Sequence, residues 1–167
     1  QTLLEQNSRL NAQTLQALME KSVMYSKSDL LSEMVYEFTE LQGLMGYYYS
    51  KIAKNDEKIS LALKEQYLPS GENSELPSSI FSSIVAMSNK IDNLMALFSA
   101  GKIPTGSKDP FGLRRAAAGI VKIAMEHKLS IDLSKIIDEL SSSYKNLDKK
   151  VLIEFFNERL FKIFEVN

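Results

Sequence analysis

The chain has 167 residues, a formal net charge of −1 at pH 7, 44% apolar and 25% charged residues, one histidine and no cysteine. This is the composition of a soluble globular protein large enough to bury its own core. It excludes disulfides, zinc–thiolate centres, cysteine nucleophiles and two-histidine metal sites, and no apolar run approaches the ~20 residues of a membrane span.

No secretory signal is visible. The chain starts at Gln1, enters a helical pattern at once, and reads as a piece of a longer protein. Helical spacing dominates and strand alternation is almost absent. The first helix is expected from about residue 2 to 25, with Leu4, Leu15, Leu18, Met19 and Val23 as its apolar positions. Ser26–Ser28 interrupt it. Asp29 is placed to cap the next turns, which carry Leu30, Leu31, Met34, Val35 and Phe38. In "LQGLMGYYY" (41–49), Gly43 and Gly46 imply a close backbone approach or a break, since glycine costs up to about 1 kcal/mol inside a helix. Asn55-Asp56 separates this helix from one running to about Leu68.

Residues 69–77 form a polar loop. A helix follows from Ser78 to about Phe98, with Ile80, Phe81, Ile84, Val85, Ile91, Met95 and Phe98 on its buried stripe. The next runs from Pro110 to about Lys128 on Leu113, Ala116, Ala117, Ile120, Val121 and Ala124. Asp132 to Tyr144 repeats the spacing with Leu133, Ile136, Ile137 and Leu140. Asp148 caps a last helix carrying Val151, Leu152, Phe155, Phe156, Leu160, Ile163 and Phe164. The fold class expected is all-α, one compact multi-helix domain over 1–167.

Charge is uneven. Residues 101–128 carry six basic side chains against two acids, net +4, which leaves −5 for the rest. This points to a local anionic partner. The centre of this segment is "GKIPTGSKDPFGLRR" (101–115). It is not a phosphate loop: the final pair is Ser107-Lys108, the reverse of the required Lys-Ser/Thr order, and a helix, not a strand, precedes it. Gly101 suits the left-handed position after a helix, with Asp109 as N-cap and Pro110 in the first helical position. Lys108, Arg114 and Arg115 then crowd a helix N-terminus, where the dipole disfavours cations by a few tenths to about 1 kcal/mol each. Either internal carboxylates or external phosphates must meet them.

Other candidates are weaker. Asp92 shares helical spacing with Val85, Ser88 and Met95, and is expected to face inward and to seek a cation. His127 lies near a helix end, where an exposed or dipole-paired role outranks ligation. Glu33, Glu37 and Glu40 read as a solvated acidic face, with a magnesium site as the sharper alternative. Tyr47–Tyr49 read as core or rim packing, with base stacking as the alternative.

Four strings stand in order: "KSDLLSEMVYEFTELQGLMGYYY" (27–49), "ELPSSIF" (75–81), "NKIDNLMALFSAGKIPTGSKDPFGLRRAAAGIVKI" (89–123) and "FFNERL" (155–160). From about residue 13 to 161 the chain resembles the β subunit of the bacterial glycyl-tRNA synthetase built from separate α and β chains. The resemblance implies a degenerate HD-type helical domain that ends before a C-terminal anticodon-binding domain. It implies a catalytic α subunit holding ATP and magnesium, an α/β heterotetramer, tRNA(Gly) as partner, and a cytoplasmic location. This piece would be an accessory part of glycine–tRNA ligase, with no catalytic or metal-binding residue of its own. "KSD" (27–29) stands where the HD dyad of that domain type would be, and Asp92 resembles its one surviving acid. Ser88-Asn89 replaces the usual Ala-Asp, and Gly112 the commoner alanine. On this reading Lys102, Lys108, Arg114 and Arg115 contact tRNA phosphate or sugar, with Lys27 nearby. Asp29, Asp92 and Asp109 position them, and Gln42 joins the polar cleft. The rival readings are a metal-dependent phosphohydrolase of HD type and an interface scaffold in which the arginines only staple helices together.

Overall fold

The computed structural model describes residues 3–165, for residues 3–8 and 10 the backbone alone, so the expected apolar position Leu4 lies outside the described side chains. Among the described residues there are eight α-helices and no strand, the one bridge being Thr105 to Lys108. The helices are α1 (Leu3–Tyr25), α2 (Glu33–Glu37), α3 (Leu44–Ile52), α4 (Glu57–Glu65), α5 (Ile80–Ser99), α6 (Leu113–Glu126), α7 (Leu133–Leu140) and α8 (Lys149–Glu165). The all-α expectation holds, and the helices gather into two compact units.

The first unit comprises residues 1–67 and 77–86. Here α3 packs chiefly on α4, and α4 also on α1. Leu18 and Met19 of α1 lie against a buried cluster of Ala62, Phe81 and Val85. The stretch after α1 departs from the expected helix. It breaks into a 3-10 turn (Ser28–Leu31), the short α2 and a second 3-10 turn (Thr39–Leu41). Ser32, not Asp29, caps α2 by accepting from Val35 N. Of the apolar residues expected inside, only Val35 is buried; Leu30, Leu31, Met34 and Phe38 are exposed, as are Leu15 and Val23.

The break has a cause. Asp29 is 1% exposed, and its carboxylate accepts from Gly43 N at 2.6 Å and from Tyr67 Oη at 2.8 Å. Satisfying those donors fixes the chain in a non-helical path, because a buried carboxylate must be hydrogen-bonded. Gly43 is the N-cap of α3 at φ 82, and a Cβ there would lie 2.6 Å from Lys64 O of α4. Both signals read from this glycine, a break and a close approach, are present. Asp56 caps α4 through Lys58 N, as its position predicts.

The second unit comprises residues 68–76 and 87–167. Its core gathers Leu94, Met95 and Phe98 of α5 with Leu113, Ala117, Ile120 and Ile123 of α6, Ile137 of α7, and Leu152, Phe155 and Phe156 of α8. The Phe98 and Phe155 rings meet edge-on at 5.1 Å. Asp148 caps α8 through Lys150 N and Val151 N. Leu140, Leu160 and Phe164, expected on buried stripes, are exposed, and in the first unit so are Ile80 and Ile84.

Candidate nucleic-acid interface

The basic turn is built by its glycines and one aspartate. At the end of α5, Gly101 (φ 70) donates to Phe98 O and Lys102 N donates to Leu97 O, the paired bonds of a Schellman ending. Gly106 (φ 53) then reverses the chain, and Lys108 N closes on Thr105 O. Helix α6 starts at Leu113, later than the spacing suggests, with Gly112 (φ 64) as the flanking residue. Asp109 still serves this end. Its two oxygens accept from Leu113 N at 2.8 Å and Arg114 N at 2.9 Å. The helix N-terminus is therefore already met by a carboxylate of the protein and is not itself an open anion site.

The basic side chains are held differently. Arg114 is half-buried, and its guanidinium donates to Gly106 O at 2.7 Å and Lys108 O at 3.4 Å. Exposed Arg115 reaches Ser70 O at 3.5 Å, and Lys122 donates to Glu72 O at 2.8 Å. Lys102 and Lys108 are exposed. Among the described residues none of these five cations forms an ion pair with a carboxylate. Carbonyl acceptors orient a guanidinium without cancelling its charge, so the net positive field of the segment persists.

Arg114, Arg115 and Lys122 line one side of a pocket of about 600 Å³, bounded by the loop residues Pro69, Gly71 and Glu72 and by Arg159, Lys162 and Ile163 of α8. Behind its wall, the Lys90 stem packs on Gly119, where a Cβ would lie 3.1 Å from Lys90 Cε and from Pro69 Cγ. Burial pushes the Lys90 ammonium down to about 8 from 10.5. Between those values the unfolded chain keeps a proton that the folded chain has released, so stability rises with pH across this window and the penalty is complete below it. We predict a gain on the order of 3 kcal/mol from Lys90 between pH 8 and 10.5. Urea unfolding as a function of pH checks it: Lys90→Met must flatten the rise.

The candidates divide between the two units. Lys27, Asp29 and Gln42 belong to the first unit; Asp92, Lys102, Lys108, Asp109, Arg114 and Arg115 belong to the second. Lys27 has φ 61 and its N–H donates to Gln66 Oε1. Gln42 is exposed and hydrogen-bonds Tyr67, whose hydroxyl is held protonated well above its ordinary range, first by burial and then by Asp29. Asp92 corrects the reading from spacing: it is exposed, and Oδ1 accepts from Tyr144 Oη at 2.6 Å. It sits at the edge of the buried arc of α5, where a tyrosine reaches it. That bond, after burial, helps to push the Tyr144 hydroxyl up to about 12. Glu33, Glu37 and Glu40 are exposed, and no group of three metal-ligating side chains occurs among the described residues. His127 forms the C-cap of α6. Of the three tyrosines, Tyr47 is half-buried while Tyr48 and Tyr49 are exposed.

Arg159 is the residue that spacing alone missed. It lies four after Phe155 and three after Phe156, on the apolar face of α8, and is 8% exposed. A charge at helical register with two buried phenylalanines was the available signal.

The comparisons agree with the resemblance. The sequence model of the family described as glycyl-tRNA synthetase beta subunit matches residues 2–167. Proteins named glycine–tRNA ligase beta subunit are similar to this chain: that of Helicobacter pylori is 50% identical over 153 residues, covering 90% of this chain and 22% of its own length. That of Buchnera aphidicola is 44% identical over 151 residues, 87% of this chain and 22% of its own. That of Pseudomonas syringae pv. tomato is 49% identical over 114 residues, 68% and 17% respectively. The chain thus spans about a fifth of the length of these relatives, and no helix among its described residues is long and apolar enough to cross a membrane. With a family model that matches almost end to end and identities this high, the chain belongs to the glycyl-tRNA synthetase β-subunit family.

Proposed function

We propose that this chain is an accessory helical part of glycine–tRNA ligase that supports tRNA(Gly) binding, while a partner α subunit, in a cytoplasmic heterotetramer, holds ATP and magnesium and performs the chemistry. The observation that carries the proposal is the state of Lys102, Lys108 and Arg115: exposed, close in sequence, and without a carboxylate partner among the described residues. Such cations suit phosphate and sugar contacts, which fix register without reading bases. Arg114 has a second task. Its bonds to Gly106 O and Lys108 O brace the turn that presents Lys108, which favours the stapling reading for this one arginine. Asp29 and Gln42 serve the first unit, and the proposal does not extend to Lys27.

The test spares the brace. In the complete ligase, Lys108→Glu/Arg115→Glu should weaken tRNA(Gly) binding at least about tenfold. It should also reduce the slope of log affinity against log salt by about two, one for each lost phosphate contact. Unchanged affinity and slope in a variant with an unchanged melting curve would reject the interface.

A further inference from the structure

The pocket of the second unit has a composition that a flat phosphate contact does not require. Its wall of Pro69, Ala118 and Gly119 is apolar, its rim carries Arg115, Lys122 and Lys162, and Glu72 is the single acid lining it. At its α8 side stands Arg159. This residue is more than nine-tenths buried, and its Nε makes no hydrogen bond among the described residues. One terminal nitrogen, Nη2, is tied to Glu158 at 2.7 Å, and the guanidinium carbon lies 5.4 Å from the centre of the Phe155 ring. A buried N–H donor without an acceptor is costly and rare in folded proteins. Beside a cationic pocket, the economical explanation is an acceptor that arrives from outside. Arginine offers such an acceptor a planar fork, and a phosphate matches it with two oxygens.

Size and apolarity narrow the class. A cavity of about 600 Å³ is of the scale that encloses a small molecule or one projecting unit of a polymer. A duplex backbone lies on a surface and does not enter such a space. An unpaired nucleotide can, with its base or ribose on the apolar wall.

Building on the RNA-facing function proposed above, we propose that this pocket receives one unpaired nucleotide of the RNA, with its phosphate on the Arg159 fork and on Arg115, and Lys122 and Lys162 supplying charge at the mouth. Glu158 holds Arg159 in the absence of RNA and yields as the phosphate enters.

The complete ligase provides the test, with variants that the interface experiment does not use. Arg159→Met keeps the packing on Phe155 and removes the fork; Lys122→Gln/Lys162→Gln leaves the core untouched and keeps the proposal testable should Arg159→Met fail to fold. Each is expected to weaken tRNA(Gly) binding about tenfold, and the lysine pair to lower the salt slope by about two. AMP should compete with tRNA for the wild type but not for the lysine variant, and inorganic phosphate should compete far less well than AMP. Wild-type affinity in the lysine variant, while Lys108→Glu/Arg115→Glu still weakens binding, would overturn the pocket and leave the wider interface standing. If neither pair matters, both proposals fall. Inorganic phosphate or AMP binding that these variants abolish, with tRNA affinity intact, would show a free-anion site and reject the RNA assignment.

Discussion

Asp29→Ala is expected to remove about 4 kcal/mol of stability, read by urea unfolding of the chain, the largest effect of any substitution proposed for the first unit. The carboxylate is fully buried and serves two donors, Gly43 N and Tyr67 Oη, that lie 14 and 38 residues away in sequence. Alanine leaves both unsatisfied, at roughly 1–3 kcal/mol each, and opens a small void besides. Asp29→Asn keeps the shape and one acceptor oxygen, so its loss should be about half as large. Tyr67→Phe, which deletes one donor, should cost about 1 kcal/mol. A loss below about 1 kcal/mol for Asp29→Ala would contradict the role of this carboxylate as the pin of the first unit.

Gly43→Ala should cost about 3 kcal/mol, from two separable sources. The first is the positive φ of 82, a conformation L side chains rarely adopt. The second is the methyl group itself, 2.6 Å from the Lys64 carbonyl oxygen, a backbone atom that cannot swing aside. Gly101 provides the control. It has φ 70 but nothing within 4 Å of its Cβ position, so Gly101→Ala should show the conformational cost alone, about 1 kcal/mol. Equal losses at the two glycines would disprove the steric part. Because Gly43 N also donates to Asp29, the double variant with Asp29→Ala should lose less than the sum of the singles.

The helices with strong period and clear caps were legible from the sequence. Asp56 and Asp148 cap where they should, and Gly101 ends α5 in the left-handed conformation. The segment from Asp29 to Leu41 was not legible. Its leucines and methionine have helical spacing, yet the path is dictated by donors on Gly43 and Tyr67, which no local window contains. Asp92 was misplaced because spacing locates a face but not its edge, and a distant tyrosine decided the matter. The basic character of residues 101–122 was plain. The capping role of Asp109 was also legible, since its oxygens take the first free N–H groups of α6; what spacing does not reveal is that Arg114 is turned back on its own loop. The register of Arg159 with Phe155 and Phe156 was readable in the sequence, but its place beside a cavity needed the fold, since only burial distinguishes a snorkelling arginine from an enclosed one.

The loop of residues 68–76 is synthesised before the last residues of the first unit but belongs to the second. Its carbonyls at Ser70 and Glu72 are met by Arg115 and Lys122, some 45 and 50 residues further on. The first unit has all its residues in hand once residue 86 has left the ribosome, whereas this strap must wait, unmatched, until α6 emerges. Closing so long a loop is slow relative to local helix formation. The pocket, which needs both this loop and α8, therefore has all its lining residues only once α8 has been made, long after those of the first unit.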